Sequence, residues 1–466
     1  MVFSRLFFIY IFLPLCLLCY AMARGTKQKN TVLIIFSLVF YAWGEPVYIF
    51  LMLLTAVVNY TAGLLIGKYQ GKKGDTAATV FAVVYDLLML GIFKYSGFIV
   101  ENVNALFSSS IPVPDIRLPI GISFYTFQTI SYIIDCHWEK VKPQKSFKNF
   151  LLFLTLFPQL VAGPIVRYST IEKEIESRSV DMRDVAYGLN RVALGLAKKA
   201  IMADQLSIIA DNCLGNIGSS TMLGAWFGVI AYGLQIYFDF SGYSDIAIGL
   251  GRIFGFHFDE NFDHPFICKD ITEFWQRWHI SLSTFFRDYV LYIPIFGKRR
   301  KYGGLFLVWL CTGIWHGASW NFILWGIYYG IFVFTEMKIG KKNMKKIPLV
   351  LRHIYSKFVI FIGFGIFYFE DLDKLGTFFK TAFGFGKNGF LAMQDKISFF
   401  NNMYLIILAI ICCFPIISSI KKTADKHFTS KAVITSASGV ASALLLIFTS
   451  IMLVDATTHP FLYFRF

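Results

Sequence analysis

Charge is scarce in this sequence, and acid scarcer than base. Of 466 residues only 16% are charged, with 29 Asp and Glu against 44 Lys and Arg. A soluble enzyme of this length carries roughly a quarter charged residues to keep its surface in water, so a water-soluble body is excluded. No long linker divides the chain and no internal repeat is visible. No His/Glu spacing of the zinc type occurs, so no metal is expected. Eight cysteines (16, 19, 136, 213, 268, 311, 412 and 413) lie mostly within or beside apolar runs, where a thiol behaves as a small hydrophobe. Cys16-Leu-Leu-Cys19 has redox spacing, but it falls in an apolar run rather than beside a βαβ pattern.

What the sequence does have is apolar length. Hydrophobic residues make up 56% and aromatics 18%, with a mean hydropathy of +0.58. Runs long enough to span a bilayer recur at Leu6–Tyr20, Val47–Ile66, Thr79–Phe93, Leu305–Ile314 joined to Asn321–Phe334, Ile354–Phe369, Tyr404–Ile420 and Ala432–Val454. The pattern predicts an all-α integral membrane protein with about ten to twelve transmembrane or re-entrant passes. It is read as a single polytopic membrane domain over 1–466, with its chemistry concentrated in 119–330 and an outer tail at 454–466. The +15 formal charge sits in short basic clusters between apolar runs, which suits the cytoplasmic leaflet and excludes nucleic acid as a partner. Ala21-Met22-Ala23 imitates a signal-peptide cleavage site, but Arg24, Lys27 and Lys29 follow at once and predict a retained first span.

With basic clusters inside, Arg24–Lys29 and Lys68–Lys73 are cytoplasmic, while Gly44-Glu45-Pro46 and Ser108–Arg117 face out. His137–Lys148 returns inside. Lys298–Lys301 and Lys338–Lys346 are both basic, so the segment between them enters and returns as a hairpin with Trp315-His316-Gly317 at its bend. The chain then crosses to an outer loop around Glu370–Ser398, returns at Lys421-Lys422, and crosses once more to leave the tail outside.

Polar groups inside apolar runs are costly in a bilayer and are therefore candidates for function. His316 can serve as the general base for a hydroxyl attacking a thioester, with Gly317 and Ala318 leaving room for substrate and Asn321 close behind. The competing reading is a buried histidine bonded to a backbone carbonyl. In Glu273–Ser283, helical spacing places Gln276, His279 and Ser283 on one face, as a polar pocket wall. The competing reading is an interfacial helix with Trp275 and Trp278 at the headgroups and Arg277 in water. Asp239, Ser241 and Asp245 lie beside a long apolar helix. The two carboxylates can be acid and base, a cation site, or structural partners of Arg252 or Arg277, and the structural network is preferred. Pro119–Gln128, ending on Gln128, and Phe157–Ile165 put Pro, Gly and Gln into apolar runs, as broken helices lining a tunnel do. In the tail, Pro460–Phe466 reads as an aromatic anchor or, alternatively, as the carrier of a phenolic nucleophile, Tyr463.

Taken together, Phe40–Pro46, Phe274–Ser283, Ile314–Trp325 and Tyr463–Phe466 closely resemble the membrane-bound O-acyltransferases. The likeness is to the branch of the alginate O-acetyltransferase membrane subunit and its Gram-positive polysaccharide-acetylating relatives. The resemblance implies a helical fold around a central tunnel, with His316 catalytic and His279 its polar companion. It implies acetyl-CoA as a cytoplasmic donor substrate and no bound cofactor. It also implies a polysaccharide acceptor outside a bacterial inner membrane, reached through an extracellular SGNH-hydrolase-type partner, with lipids around the protein. The related teichoic acid D-alanyl branch shares both histidine motifs but works with a separate small protein ending in Phe-x-Tyr-x-x-Phe. Phe461–Phe466 carries that pattern on this chain, which resembles the acetylating branch and suggests Tyr463 as an acyl carrier. Relatives often have Phe-Phe-Arg where this chain has Phe367-Tyr368-Phe369-Glu370-Asp371. The rival function is a lipid-linked glycan transporter, but the paired halves that transporters often show are not visible here.

Overall fold

Apolar runs bounded by Gly, Pro and Lys fold as helices because a backbone in lipid must satisfy its own hydrogen bonds. The computed structural model describes residues 1–161, 163–292, 301–416, 431–454 and 461, with the backbone alone at 301 and 431–435. Among these residues the regular structure is entirely helical. A π-helical turn, Phe8–Phe12, leads into α1 (Leu13–Met22). It is followed by α2 (Gly25–Gly44), α3 (Ile49–Lys68), α4 (Lys73–Phe107), α5 (Ile122–His137), α6 (Phe147–Thr155), α7 (Phe157–Leu160), α8 (Tyr168–Glu176) and α9 (Met182–Ala197). A second π-helical stretch, Lys198–Ala203, precedes α10 (Asp204–Leu214) and α11 (Met222–Ile253). Then come α12 (Ile271–Arg277), α13 (Ile280–Tyr289), α14 (Lys301–His316), α15 (Trp320–Ile339), α16 (Lys341–Met344), α17 (Leu349–Tyr368), α18 (Leu372–Ala382), α19 (Met393–Cys412) and α20 (Lys431–Val454).

Among the described residues six helices are long and apolar enough to cross a membrane: α3, α4, α15, α17, α19 and the Ser436–Val454 part of α20. Their outward faces carry side chains such as Phe50, Leu54, Phe81 and Leu88, each more than half exposed, a surface suited to lipid. The protein is thus an all-α, multi-pass membrane protein. The outer loop expected around Glu370–Ser398 contains α18, whose first amides are capped by the Asp371 carboxylate.

The described residues separate into two compact units, the first within 1–192 and 244–259, the second within 193–243 and 260–461. In the first unit Phe8, Phe12, Phe40 and Phe157 form a ring cluster. Gly121 turns the chain into α5 at φ +79°, and a Cβ there would stand 2.8 Å from the Leu160 carbonyl, so the Pro119–Gly121 segment shapes the start of a continuous helix rather than breaking one. A buried pair also crosses α3 and α4, where Asn59 Nδ2 donates to Asp86 Oδ1 at 2.8 Å.

In the second unit α14 and α15 pack as the expected hairpin, with the turn at 317–319. Their backbones meet at Gly313 and Gly326, where any Cβ would fall about 2.5 Å or less from a carbonyl of the facing helix. The clusters at 298–300 and 421–422 lie outside the described residues.

Candidate active site

The helical register expected for Glu273–Ser283 is interrupted. α12 stops at Arg277, Trp278 is extended, and His279 adopts φ 45°, ψ 55° before α13 begins at Ile280. A left-handed non-glycine residue stores strain and persists only where its surroundings enforce it. Here the enforcing group is Asn261, completely buried in the loop after α11. Its backbone carbonyl accepts from Ile280 N at 3.0 Å. Its side-chain Oδ1 accepts from Ser281 N at 3.2 Å and Ser281 Oγ at 2.9 Å, and lies 3.2 Å from His279 Nδ1.

This cluster selects a tautomer. A backbone N–H can only donate, so the Asn261 atom facing Ser281 N is the carbonyl oxygen, not the amide nitrogen. The imidazole nitrogen facing that same oxygen must then carry the hydrogen. Neutral His279 is therefore the Nδ1–H tautomer, with its lone pair on Nε2. The ring is 1% exposed, and Phe240 meets it edge-on at 4.6 Å between centroids.

The break overturns the expected shared face. Gln276 is exposed, and Ser283 spends its hydroxyl on the Trp275 carbonyl at 3.1 Å, bracing the interruption. Trp275 and Trp278 are not exposed to headgroups as the interfacial reading required. Both are buried, Trp275 among Trp309, Trp325 and Tyr329, and Trp278 among Phe262, Phe274 and Phe364. Arg277 pairs with Asp263 at 2.6 Å and Glu273 at 3.1 Å.

His316, the last residue of α14, is 4% exposed. Trp325 and Phe367 stand edge-on to its ring at 4.8 and 5.1 Å. Asn321 ties α15 to α17 through bonds to the carbonyls of Ile366 and Phe367, both 3.2 Å, and so holds Phe367 against the imidazole. The ring of Trp315 contacts both histidines, at 5.0 Å from His316 and 6.0 Å from His279. Two imidazoles thus share one aromatic enclosure. Such an arrangement can move a proton between a reacting oxygen and a ring nitrogen while excluding water.

The carboxylates go elsewhere. Asp239 pairs with Lys199 at 2.8 Å, and Lys199 also pairs with Asp204 at 2.8 Å. Asp245 pairs with Arg191 at 2.7 Å. The arginines expected for them are engaged otherwise, Arg252 with Asp184 and Arg277 as above. Six residues apart on α11, the two aspartates point roughly 120° apart, so they do not face each other as an acid–base pair. Ser241 is buried on the same helix, and Gln128 is buried in α5 of the first unit. Tyr463 lies outside the described residues. Phe461 is described: it is buried, edge-on to Tyr243 at 4.9 Å, with Lys199 Nζ 4.9 Å from its ring.

Sequence reasoning missed Asn261 and Lys199. Asn261 lies 18 residues from the histidine it orients, inside an unremarkable polar loop. Lys199 had a usable signal, a lysine in the apolar stretch that follows α9.

An all-α multi-pass membrane protein with two enclosed, uncharged-cage histidines is the class these features define. The model of MBOAT, the membrane-bound O-acyltransferase family, matches residues 40–370, and the chain belongs to that family. Similar proteins include the probable alginate O-acetylase of Azotobacter vinelandii, 41% identical over 396 residues covering 83% of this chain and 79% of that one. The peptidoglycan O-acetyltransferase of Helicobacter pylori is 30% identical over 100% of this chain and 98% of its own. The teichoic acid D-alanyltransferase of Bacillus subtilis is 29% identical over 58% of this chain and 78% of its own.

Proposed function

We propose that this chain is an O-acetyltransferase of a bacterial cell membrane, taking acetyl from cytoplasmic acetyl-CoA and delivering it across the membrane for esterification of a cell-surface or extracellular polysaccharide. The observation that carries this reading is the pair of enclosed histidines, His279 with a fixed tautomer and His316 in its aromatic cage, joined through Trp315. Relatives named for acetylating alginate and peptidoglycan support the choice of acyl group and acceptor class.

In the chemical step an acceptor hydroxyl gives its proton to the His316 imidazole, and its oxygen forms a bond to the thioester carbonyl carbon. The tetrahedral adduct collapses with cleavage of the C–S bond, and the departing thiolate takes up the proton. His279, basic at Nε2, assists that proton traffic. The acceptor of this first transfer is either a carbohydrate hydroxyl or the Tyr463 phenol, from which an SGNH-hydrolase-type partner outside completes delivery. Phe461, two residues before Tyr463, is itself seated against Tyr243 and Lys199.

The deciding experiment measures ester-linked acetyl on cell-surface polysaccharide in cells carrying wild type, His316→Ala or an empty vector at matched protein levels. Acetyl present only with wild type, a loss of at least about 100-fold in the variant, is expected. Equal acetyl in all three sinks the assignment. D-alanine esters are then measured, since a D-alanyltransferase is among the relatives. Tyr463→Phe separates the two acceptors. It keeps an aromatic anchor and removes the hydroxyl, so carriage through the phenol is lost with it and direct transfer is not.

A further inference from the structure

α15 is apolar through almost its whole length, yet it carries a carboxylate in its last turn. Glu336 is 6% exposed, and an acid so placed is retained at a cost unless donors surround it. Four do. Oε1 accepts from Ile271 N at 2.7 Å and Tyr355 Oη at 3.1 Å, while Oε2 accepts from Thr272 N at 2.8 Å and Thr272 Oγ1 at 2.6 Å. The two amides are the first of α12, which the helix itself cannot satisfy. The third amide, Glu273 N, is taken by Asp270 at 2.8 Å, and Asp270 is held in turn by Arg352 of α17 at 2.7 Å.

The start of α12 is therefore bolted to α15 and α17, and its far end runs through Trp278 into His279. The same α15 supplies Trp325 to the cage of His316, eleven residues before Glu336 and so roughly 16 Å away along the axis. One helix thus sets the surroundings of one histidine near its start and the placement of the other from its end.

We propose that Glu336 is a positioning residue for acyl transfer. By fixing the height and rotation of α12, it sets where His279 stands in the enclosure shared with His316. The proposal rests on the acyltransfer reading for its kinetic consequence but not for its structural one. Glutamine at 336 keeps the volume but turns an amide NH₂ toward one of two main-chain donors, so the bolt is lost without a cavity. Tyr355→Phe removes one of the four donors and leaves both main-chain contacts.

The test labels purified, folded protein with diethyl pyrocarbonate and follows each histidine by mass spectrometry, with half-exposed His257 as internal control. In Glu336→Gln, His279 is expected to label at least about 5-fold faster while His257 is unchanged, and Tyr355→Phe is expected to stay near wild type. On the same samples kcat for acetyl transfer falls about 10- to 100-fold with KM for the acetyl donor within about 2-fold. Unchanged His279 labelling in folded Glu336→Gln overturns the proposal, whatever the activity. So does a loss of activity that follows only the amount of folded protein. Wild type that labels as expected but transfers no acetyl sinks the acyltransfer reading and leaves the positioning role of Glu336 standing.

Discussion

Two of the groups of ionisable side chains buried in the second compact unit are built on opposite plans. Asp204 and Asp239 both pair with Lys199 through contacts of 2.8 Å, with Lys199 and Asp239 almost wholly buried. His279 and His316 are enclosed instead by a carboxamide, two tryptophans and two phenylalanines. A buried charge held by an opposite charge is costly to leave without any partner. An imidazole has two ring nitrogens, and at His279 the neutral carbonyl of Asn261 faces one of them. One group is held by charged partners, the other by neutral ones.

The largest expected effect after removal of His316 itself comes from Asn261. Asn261→Ala deletes the acceptor that fixes the His279 tautomer and that holds the left-handed turn against Ser281. The imidazole is then free to populate the other tautomer, and the break between α12 and α13 loses its restraint. Acetyl transfer per folded molecule is expected to fall about 10- to 100-fold, measured as kcat on purified protein. Wild-type turnover in a folded Asn261→Ala variant removes the distinction drawn above, since His279 then needs no fixed tautomer.

Much of the helical frame was legible. Uninterrupted apolar runs, basic clusters at their ends and the Gly-containing turn after His316 place the α14–α15 hairpin and most of the spans from composition and period alone. His316 drew notice as an imidazole next to glycine inside an apolar run, with a buried structural histidine as the competing reading. The break at His279 was not legible. No glycine or proline marks it, and the 3.6-residue period runs through Trp275–Ser283 without a fault. The turn is imposed from Asn261, and no local propensity reports a constraint that arrives from 18 residues away. The partners of Asp239 and Asp245 were out of reach for the same reason. Arg252, Arg277, Arg191 and Lys199 all lie near enough in sequence, and only tertiary packing chooses among them.

The smallest expected effect on catalysis is that of Asp239→Asn. Asparagine keeps an oxygen for Lys199 to donate to, and Lys199 retains Asp204. The buried lysine is therefore not stranded, as it would be if both carboxylates were lost. What goes is one charge–charge contact in a low-dielectric interior, where truncations that leave the partner uncompensated cost about 3–5 kcal/mol and partial ones less. The thermal midpoint should fall measurably, while kcat/KM per folded molecule stays within about twofold of wild type. Because stability and turnover move separately here, the two measurements must be made on the same preparation. A variant that keeps its midpoint but loses acetyl transfer would place the Asp239 carboxylate against substrate, and the triad would then belong with the histidines rather than apart from them.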